Sequence, residues 1–357
     1  MMSLHQPFSA GIGQNCPVIP VGCDVGAGLI KIAIDSNGSQ MRVRMPSKVV
    51  EIKTPLLDEL SSKEGGHFYY HSGDRSDLIG KQFLLGDLAN HYAPTSHIKL
   101  SDDPVLKAEY ALHAVLGALA TLPHRPEWNL FLVISTHSRE LFKDKITSLL
   151  SGGHSVSFCG KDKVGTKVKI SLGLVVPEGI GAYSQARYLG LIEPKANCVA
   201  IDLGTSTVIP QIFAPQGKLI SHQPLEVNGA IDLLDAIASD TELLKFLGSG
   251  KRGSVELIRL GIEDGSFLYG SRNFSFKGIY SKHLKTWLGD RIRLATKATS
   301  EWRDSAQSIV AWGGGVELPG VAQNLKSIGI TPLPDGGWAN AIGLQTMAQG
   351  LLARKGN

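Results

Sequence analysis

Cysteine is scarce. The four in 357 residues, at positions 16, 23, 159 and 198, show no C-x-x-C spacing that would read as a metal or redox motif. Cys23 and Cys198 fall in apolar strand-like runs, where a buried free thiol is the expected state, and reduced thiols suit a cytoplasmic protein. No stretch approaches the ~20 apolar residues that a membrane-spanning helix requires. Residues 1–16 read as a flexible extension, because Met1 to Asn15 has neither the basic start nor the apolar centre of a signal peptide. A long block of Lys or Arg is also missing. With 36 basic and 32 acidic residues the net charge is only +4, so direct nucleic-acid binding is not expected. What the chain does have is length for two domains and a hydrophobic content of 43%, ample for buried cores.

The most informative stretch is Val199 to Gln211: three apolar residues lead into Asp202, Gly204 follows, then Thr205, Ser206 and Thr207, then a second apolar run. This reads as strand, tight turn, strand. Gly204 is expected to adopt backbone angles that other residues avoid, turning amides toward an anion, with the three hydroxyls as further donors. Asp202 could hold a hydrated divalent cation beside that anion. The design occurs twice, since Cys23 to Ile34 has Asp24, Gly26, Ala27, Gly28 and an alternating apolar return strand bearing Lys31. The two aspartates are 202 − 24 = 178 residues apart, half the chain, which points to two related domains presenting loops to one ligand. A third glycine element, Gly313-Gly314-Gly315, again follows a short apolar run. Three strand-to-glycine junctions, two with a carboxylate, suit a nucleoside polyphosphate and its metal.

In these motifs the chain resembles the actin-like ATPases of the actin, heat-shock chaperone and sugar-kinase superfamily, and within it the plasmid-segregation filament proteins of the ParM/StbA group. Five segments follow the family's order: a first phosphate loop (Asp24, Gly26, Gly28, Lys31), a first connecting motif (Pro177 to Ala182), a second phosphate loop (Asp202 to Thr207), an adenosine loop (Gly313 to Gly315) and a second connecting motif (Ala339 to Gly343). The resemblance implies an α/β chain of actin-like fold, two related domains flanking a nucleotide cleft. The first would span residues 17–195, with a small outer subdomain at about 40–100 and a closing helix over 338–357; the second would span 196–337. It also implies binding of ATP or GTP with Mg²⁺, hydrolysis, and assembly of the protein with itself into filaments. A DNA-binding adaptor would connect such a filament to plasmid DNA, with no direct nucleic-acid or membrane contact.

Individual residues take roles on the same basis. Backbone amides around Gly26 to Gly28 and Gly204 to Ser206 would wrap the phosphates, Lys31 would add a point charge, and Asp24 and Asp202 would hold Mg²⁺ mainly through water. Glu178 ends a strand and opens a helix, where the helix dipole already favours a carboxylate. The resemblance makes it the residue that orients the attacking water. Glu256 and Arg259, three apart on a helix, match side chains that neighbour ribose and adenine in the family. Long helices are expected over Pro104–Leu122, Ser138–Leu150 with Leu141, Phe142, Ile146, Leu149 and Leu150 inward, Gly229–Leu247, and Tyr280–Thr299 with a solvated basic face.

Two departures bear on the chemistry. Relatives often carry Asp or His seven residues after the second-loop aspartate, where this chain has Ile209; the first-loop serine that senses the γ-phosphate is here Ala27. Such a hydrogen bond is worth about 1 kcal/mol, so binding should survive while hydrolysis is slow. The rival readings are a scaffold filament that hardly hydrolyses nucleotide and a sugar or acid kinase, for which the first half offers no convincing catalytic Asp. A chaperone is disfavoured because no substrate-binding domain follows Asn357, and the tail from Leu351 is too short for a membrane anchor.

Overall fold

The apolar lead-in to Asp24 becomes β1 (Val18–Val25), which turns back through β2 (Leu29–Ser36) and β3 (Ser39–Pro46) as an antiparallel meander. The computed structural model describes residues 13, 16–36, 38–53, 65–159, 163–248, 250–271 and 273–355. Most of the extension expected over residues 1–16 therefore lies outside the described residues, as do residues 160–162. By internal contact the chain divides into two compact units, Met1–Ser184 with Asn340–Asn357, and Gln185–Ala339.

In the first unit the meander is followed by β4 (Lys48–Ile52), β5 (His67–Gly73), β6 (Gln82–Leu85), a short helix α1 (Asp87–Tyr92) and β7 (Ile98–Lys99). Next come α2 (Pro104–Glu109), α3 (Ala111–Ala120), β8 (Glu127–Thr136), α4 (Arg139–Leu150), β9 (Gly152–Phe158), β10 (Gly165–Pro177) and α5 (Ile180–Tyr188). The sheet runs β3-β2-β1-β8-β10-β9-β5-β6-β4-β7, so strands of the expected outer subdomain continue it through β9. Parallel neighbours on both sides place β8 at the centre, which explains its near-continuous apolar sequence. Its alternate residues serve two cores: Leu130, Leu132 and Ile134 pack with α3 and α4 residues, while Phe131 and Val133 pack with Leu344 and Ala348 of α12 (Ala339–Lys355).

The second unit holds β11 (Asn197–Leu203), β12 (Val208–Phe213), β13 (Leu219–His222), α6 (Ala230–Ala238), α7 (Thr241–Leu247), α8 (Val255–Glu263) and α9 (Lys277–Ala298). It ends with α10 (Ser300–Arg303), β14 (Ala306–Trp312), α11 (Val321–Ser327) and β15 (Thr331–Pro332) before α12. Its sheet order, β13-β12-β11-β14-β15, repeats β3-β2-β1-β8-β10 strand for strand. The pairings also repeat: two antiparallel, then two parallel. The half-chain repeat read from two hairpins thus extends over five strands, the whole of the second sheet and half of the ten-stranded first. Ile201, Leu203 and Val208 pack under Leu233, Ile237, Ile258 and Leu284 in a separate core.

Several expected elements differ in detail. The helix over Pro104–Leu122 is two helices, because Tyr110 leaves helical angles at φ −99°, ψ 13°. All ten residues of α3 are buried, so no single apolar stripe marks it. In α4, Phe142, Ile146 and Leu150 turn inward but Leu141 is 75% exposed. The helix ends on Ser151, and Gly152 opens β9 directly after it. The helix expected over Gly229–Leu247 breaks at Asp240, which becomes the N-cap of α7 by accepting from the Glu242 amide at 2.9 Å. Two of the cations expected on a solvated face of α9 are engaged: Lys282 binds Asp240 at 2.9 Å, and buried Arg291 pairs with Asp232 and donates to the Asn228 carbonyl. Among the described residues no helix is long and apolar enough to cross a membrane.

Candidate functional site

Each hairpin places its aspartate near the end of a strand. In the first unit Asp24 lies across the ladder from Lys31, and the Gly26 amide closes the turn on the Leu29 carbonyl at 3.1 Å. Ser47 braces that turn: its amide donates to the Gly28 carbonyl at 3.1 Å and its hydroxyl to the Gly26 carbonyl at 2.6 Å. Ala27 is half-buried at the tip. In the second unit Asp202 lies across from Ile209, the same offset of seven, and the Gly204 amide bonds the Thr207 carbonyl at 2.9 Å. The first two amides of α6, of Ala230 and Ile231, donate to the Gly204 and Thr205 carbonyls at 3.0 Å and fasten this loop to the helix.

The reason for glycine in these turns differs from the one expected. Neither Gly26 nor Gly204 adopts a positive φ. Space is what demands them: a Cβ on Gly26 would lie 2.8 Å from the Leu29 carbonyl oxygen, and one on Gly204 would lie 2.9 Å from that of Thr207. Gly313 does need its left-handed φ of +90°, and a side chain there would collide with Asp202 Oδ1. The third glycine loop and the second hairpin therefore meet directly, Asp202 being the register partner of Trp312 at the end of β14. Gly315 is buried against Leu203, whereas a side chain on Gly314 would point into open space.

Around Asp24 the first unit assembles a network. Ser135 Oγ, near the end of β8, donates to Asp24 Oδ1 at 3.1 Å and accepts from Asn340 Nδ2 at 3.0 Å. Asn340 Oδ1 in turn accepts from the Ala182 amide of α5 at 3.3 Å. Burial raises the Asp24 carboxyl above the usual carboxylate range, opposed by the Lys31 charge; the Glu178 charge adds to the rise, while the Asn340 hydrogen bond and the Lys107 charge oppose it. Glu178 follows β10 directly. Its amide donates to the Thr136 carbonyl at 3.0 Å, and its carboxylate binds Lys107 Nζ at 2.9 Å, with side chains only 16% and 13% exposed.

Of the expected residues, Asp24, Gly26, Ala27, Gly28 and Lys31 gather on one hairpin, and Glu178 joins Asp24's electrostatic surroundings. Asp202, Gly204 to Thr207 and Gly313 to Gly315 gather in the second unit. Glu256 and Arg259 stand apart on α8, bound to each other, with Arg259 also reaching Glu263 at 2.7 Å. Ser47, Ser135 and Lys107 were not singled out in the sequence. A serine after a strand and one lysine on a polar helix face carry no local signal. Asn340 belonged to a motif but had no role assigned.

Solved structures of similar shape cover nearly the whole chain. The archaeal actin homolog Ta0583 matches with a TM-score of 0.73 at 17% identity, over 93% of this chain and 99% of its own. The same homolog in complex with ADP matches with a TM-score of 0.66 at 17% identity, over 93% and 99%. Bacillus thuringiensis ParM with ATP matches with a TM-score of 0.67 at 16% identity, over 95% and 100%. No protein-family model and no curated protein matches the chain. Two related α/β units with repeated sheet order, matched end to end at identities this low, establish the fold: this chain has the actin-like ATPase fold.

Proposed function

We propose that this protein binds a nucleoside triphosphate with Mg²⁺, assembles with itself into filaments, and hydrolyses the nucleotide slowly. The observation that carries the reading is the repeated hairpin: an aspartate near the end of the first meander strand in two sheets of the same order, each followed by a turn too narrow for a side chain at its first glycine. The Gly26 and Gly204 amides close the turns themselves, so the amides of Ala27, Gly28, Thr205 and Ser206 would be the ones offered to an anion. In the first unit the Gly26 to Gly28 turn and Lys31 would hold phosphate oxygens. In the second, the Gly204 to Ser206 backbone and the hydroxyls of Thr205, Ser206 and Thr207 would do so. Gly313 to Gly315 would let the backbone approach the nucleoside.

The donor set fits Mg²⁺ held through water. Among the described residues no cluster of three or more His, Cys, Asp or Glu is gathered for direct ligation, while Asp24 and Asp202 each stand beside a phosphate-type turn. When bound, Mg²⁺ would neutralise phosphate charge, which with positioning is most of phosphoryl-transfer catalysis. Glu178 would orient the attacking water. The ADP and ATP complexes of the similarly folded archaeal homolog and ParM support nucleotide binding. A role in plasmid segregation in the cytoplasm, through a DNA-binding adaptor, is part of the same proposal.

A second reading, a scaffold filament that binds nucleotide without turning it over, is favoured by one observation. Ile209, only 6% exposed, occupies in the second hairpin the place that Lys31 holds in the first. Light scattering and pelleting with ATP, GTP and Mg²⁺, with phosphate release followed in parallel, test both. We expect Mg²⁺- and nucleotide-dependent polymer with slow phosphate release. Polymer without release above background selects the scaffold, and no nucleotide-dependent polymer rejects filament assembly altogether.

A further inference from the structure

We infer that Lys107 is a positioning residue for the proposed hydrolysis, acting through Glu178. The inference rests on the hydrolytic reading and extends it to a residue on which the sequence motifs are silent.

Two anchored elements bring the pair together. On one side, Glu178 is fixed at the end of β10 by its amide bond to the Thr136 carbonyl of β8. On the other, α2 is a helix of six residues that would not hold its place unaided. It is capped by Asp103, whose carboxylate accepts from the Val105 amide at 2.8 Å, and tied to α4 by the Lys145–Glu109 pair at 2.5 Å. Lys107 stands between these two ties and reaches Glu178 Oε1 at 2.9 Å. Both side chains are largely withdrawn from water, so the pair is screened far less than a surface ion pair.

The surroundings give the contact a purpose beyond stability. The charges of Lys107, Glu178 and Lys31 all act on Asp24, so two carboxylates and two ammonium groups share one neighbourhood in the first unit. A glutamate beside Asp24 without a cation would be repelled by it. Lys107 removes that repulsion and holds Oε1, which restricts the carboxylate plane and so the direction from which Glu178 can accept from a water. Orientation of this kind affects the rate of the chemical step more than the affinity for the ground state.

The test compares wild type, Lys107→Met, Lys107→Arg, Glu178→Gln and the Lys107→Met/Glu178→Gln double variant, all as the full chain. For Lys107→Met we expect kcat for phosphate release to fall about tenfold, with KM and nucleotide Kd within about twofold. Lys107→Arg should recover most of the loss, since it keeps the charge. In the Glu178→Gln background the lysine substitution should cost nothing further, the mark of two residues acting as one unit. A readout without turnover is the carboxyl ¹³C shift of Glu178 in nucleotide-free protein, which should move in Lys107→Met and return in Lys107→Arg. An unmoved Glu178 signal, or an equal loss in the Glu178→Gln background, overturns the inference alone. Wild type that binds nucleotide and releases no phosphate overturns the hydrolytic reading and Lys107's part with it.

Discussion

At the scale of single residues, the two hairpins share a backbone and differ in charge. Asp24 faces Lys31 across its ladder, whereas Asp202 faces buried Ile209. Asp202 stands beside the Gly204 turn and against Gly313, the place proposed for hydrated Mg²⁺, so its loss should show in the metal-dependent part of binding. Asp202→Ala should weaken Mg²⁺-dependent nucleotide binding roughly tenfold, about 1.4 kcal/mol, with little change in Mg²⁺-free binding. Titration with a fluorescent nucleotide with and without EDTA reads the difference, and equal weakening in both conditions would argue against a metal role. Glu178→Ala acts at another step: polymer should form normally and then persist after nucleotide is spent on assembly, as followed by light scattering. Filaments turning over at the parental rate would refute the water-orienting assignment.

The element scale shows how polar groups are accommodated inside the first unit. His113 on α3 is 3% exposed and ringed by Phe83, Tyr110 and Phe68 with centroids 4.5, 4.8 and 5.9 Å away; neither ring nitrogen has a hydrogen-bond partner among the described residues. His67, in the adjoining strand β5, is likewise buried without a partner. Burial lowers His67 to about 4 and His113 to about 3; the Arg75 and Lys81 charges also lower His113, and Asp77 opposes them. Both rings are then neutral in the folded state while the unfolded chain takes up protons near pH 6.5. Stability is therefore fully present above that pH and lost as pH falls toward the folded values, by roughly 2 kcal/mol for each ring between pH 6.5 and 5. Urea unfolding across that range should show the loss. His113→Phe, which suits the aromatic surroundings, should remove that ring's share of the slope, and an unchanged pH slope would count against it. Little of this was legible beforehand, because α3 has no polar face and periodicity cannot say which buried ring lacks a partner. Asp240 is a parallel case. It reads as one more polar residue in a helical run, yet its carboxylate, held by Lys282 and His283 and pulled down to about 2, ends one helix and caps the next.

At the scale of the whole molecule, the duplication of one five-stranded sheet gives each unit its own apolar core. Leu132, fully buried on the central strand β8, should cost about 2–5 kcal/mol when replaced by Ala, read as lost amide protection along β8. Leu141→Ala, at a position 75% exposed, should stay within about 0.5 kcal/mol in the same measurement. The strand-turn-strand hairpins and their half-chain repeat could be read along the chain, because each depends on local turn geometry and on an apolar pattern of near neighbours. Long-range packing was needed to see that Gly204 is required by space and not by φ, that Leu141 faces water, and that Lys107, Ser135 and Asn340 converge on Glu178 and Asp24. Those three residues are distant in sequence from the carboxylates they serve, and a contact of that kind leaves no mark on the neighbours of either partner.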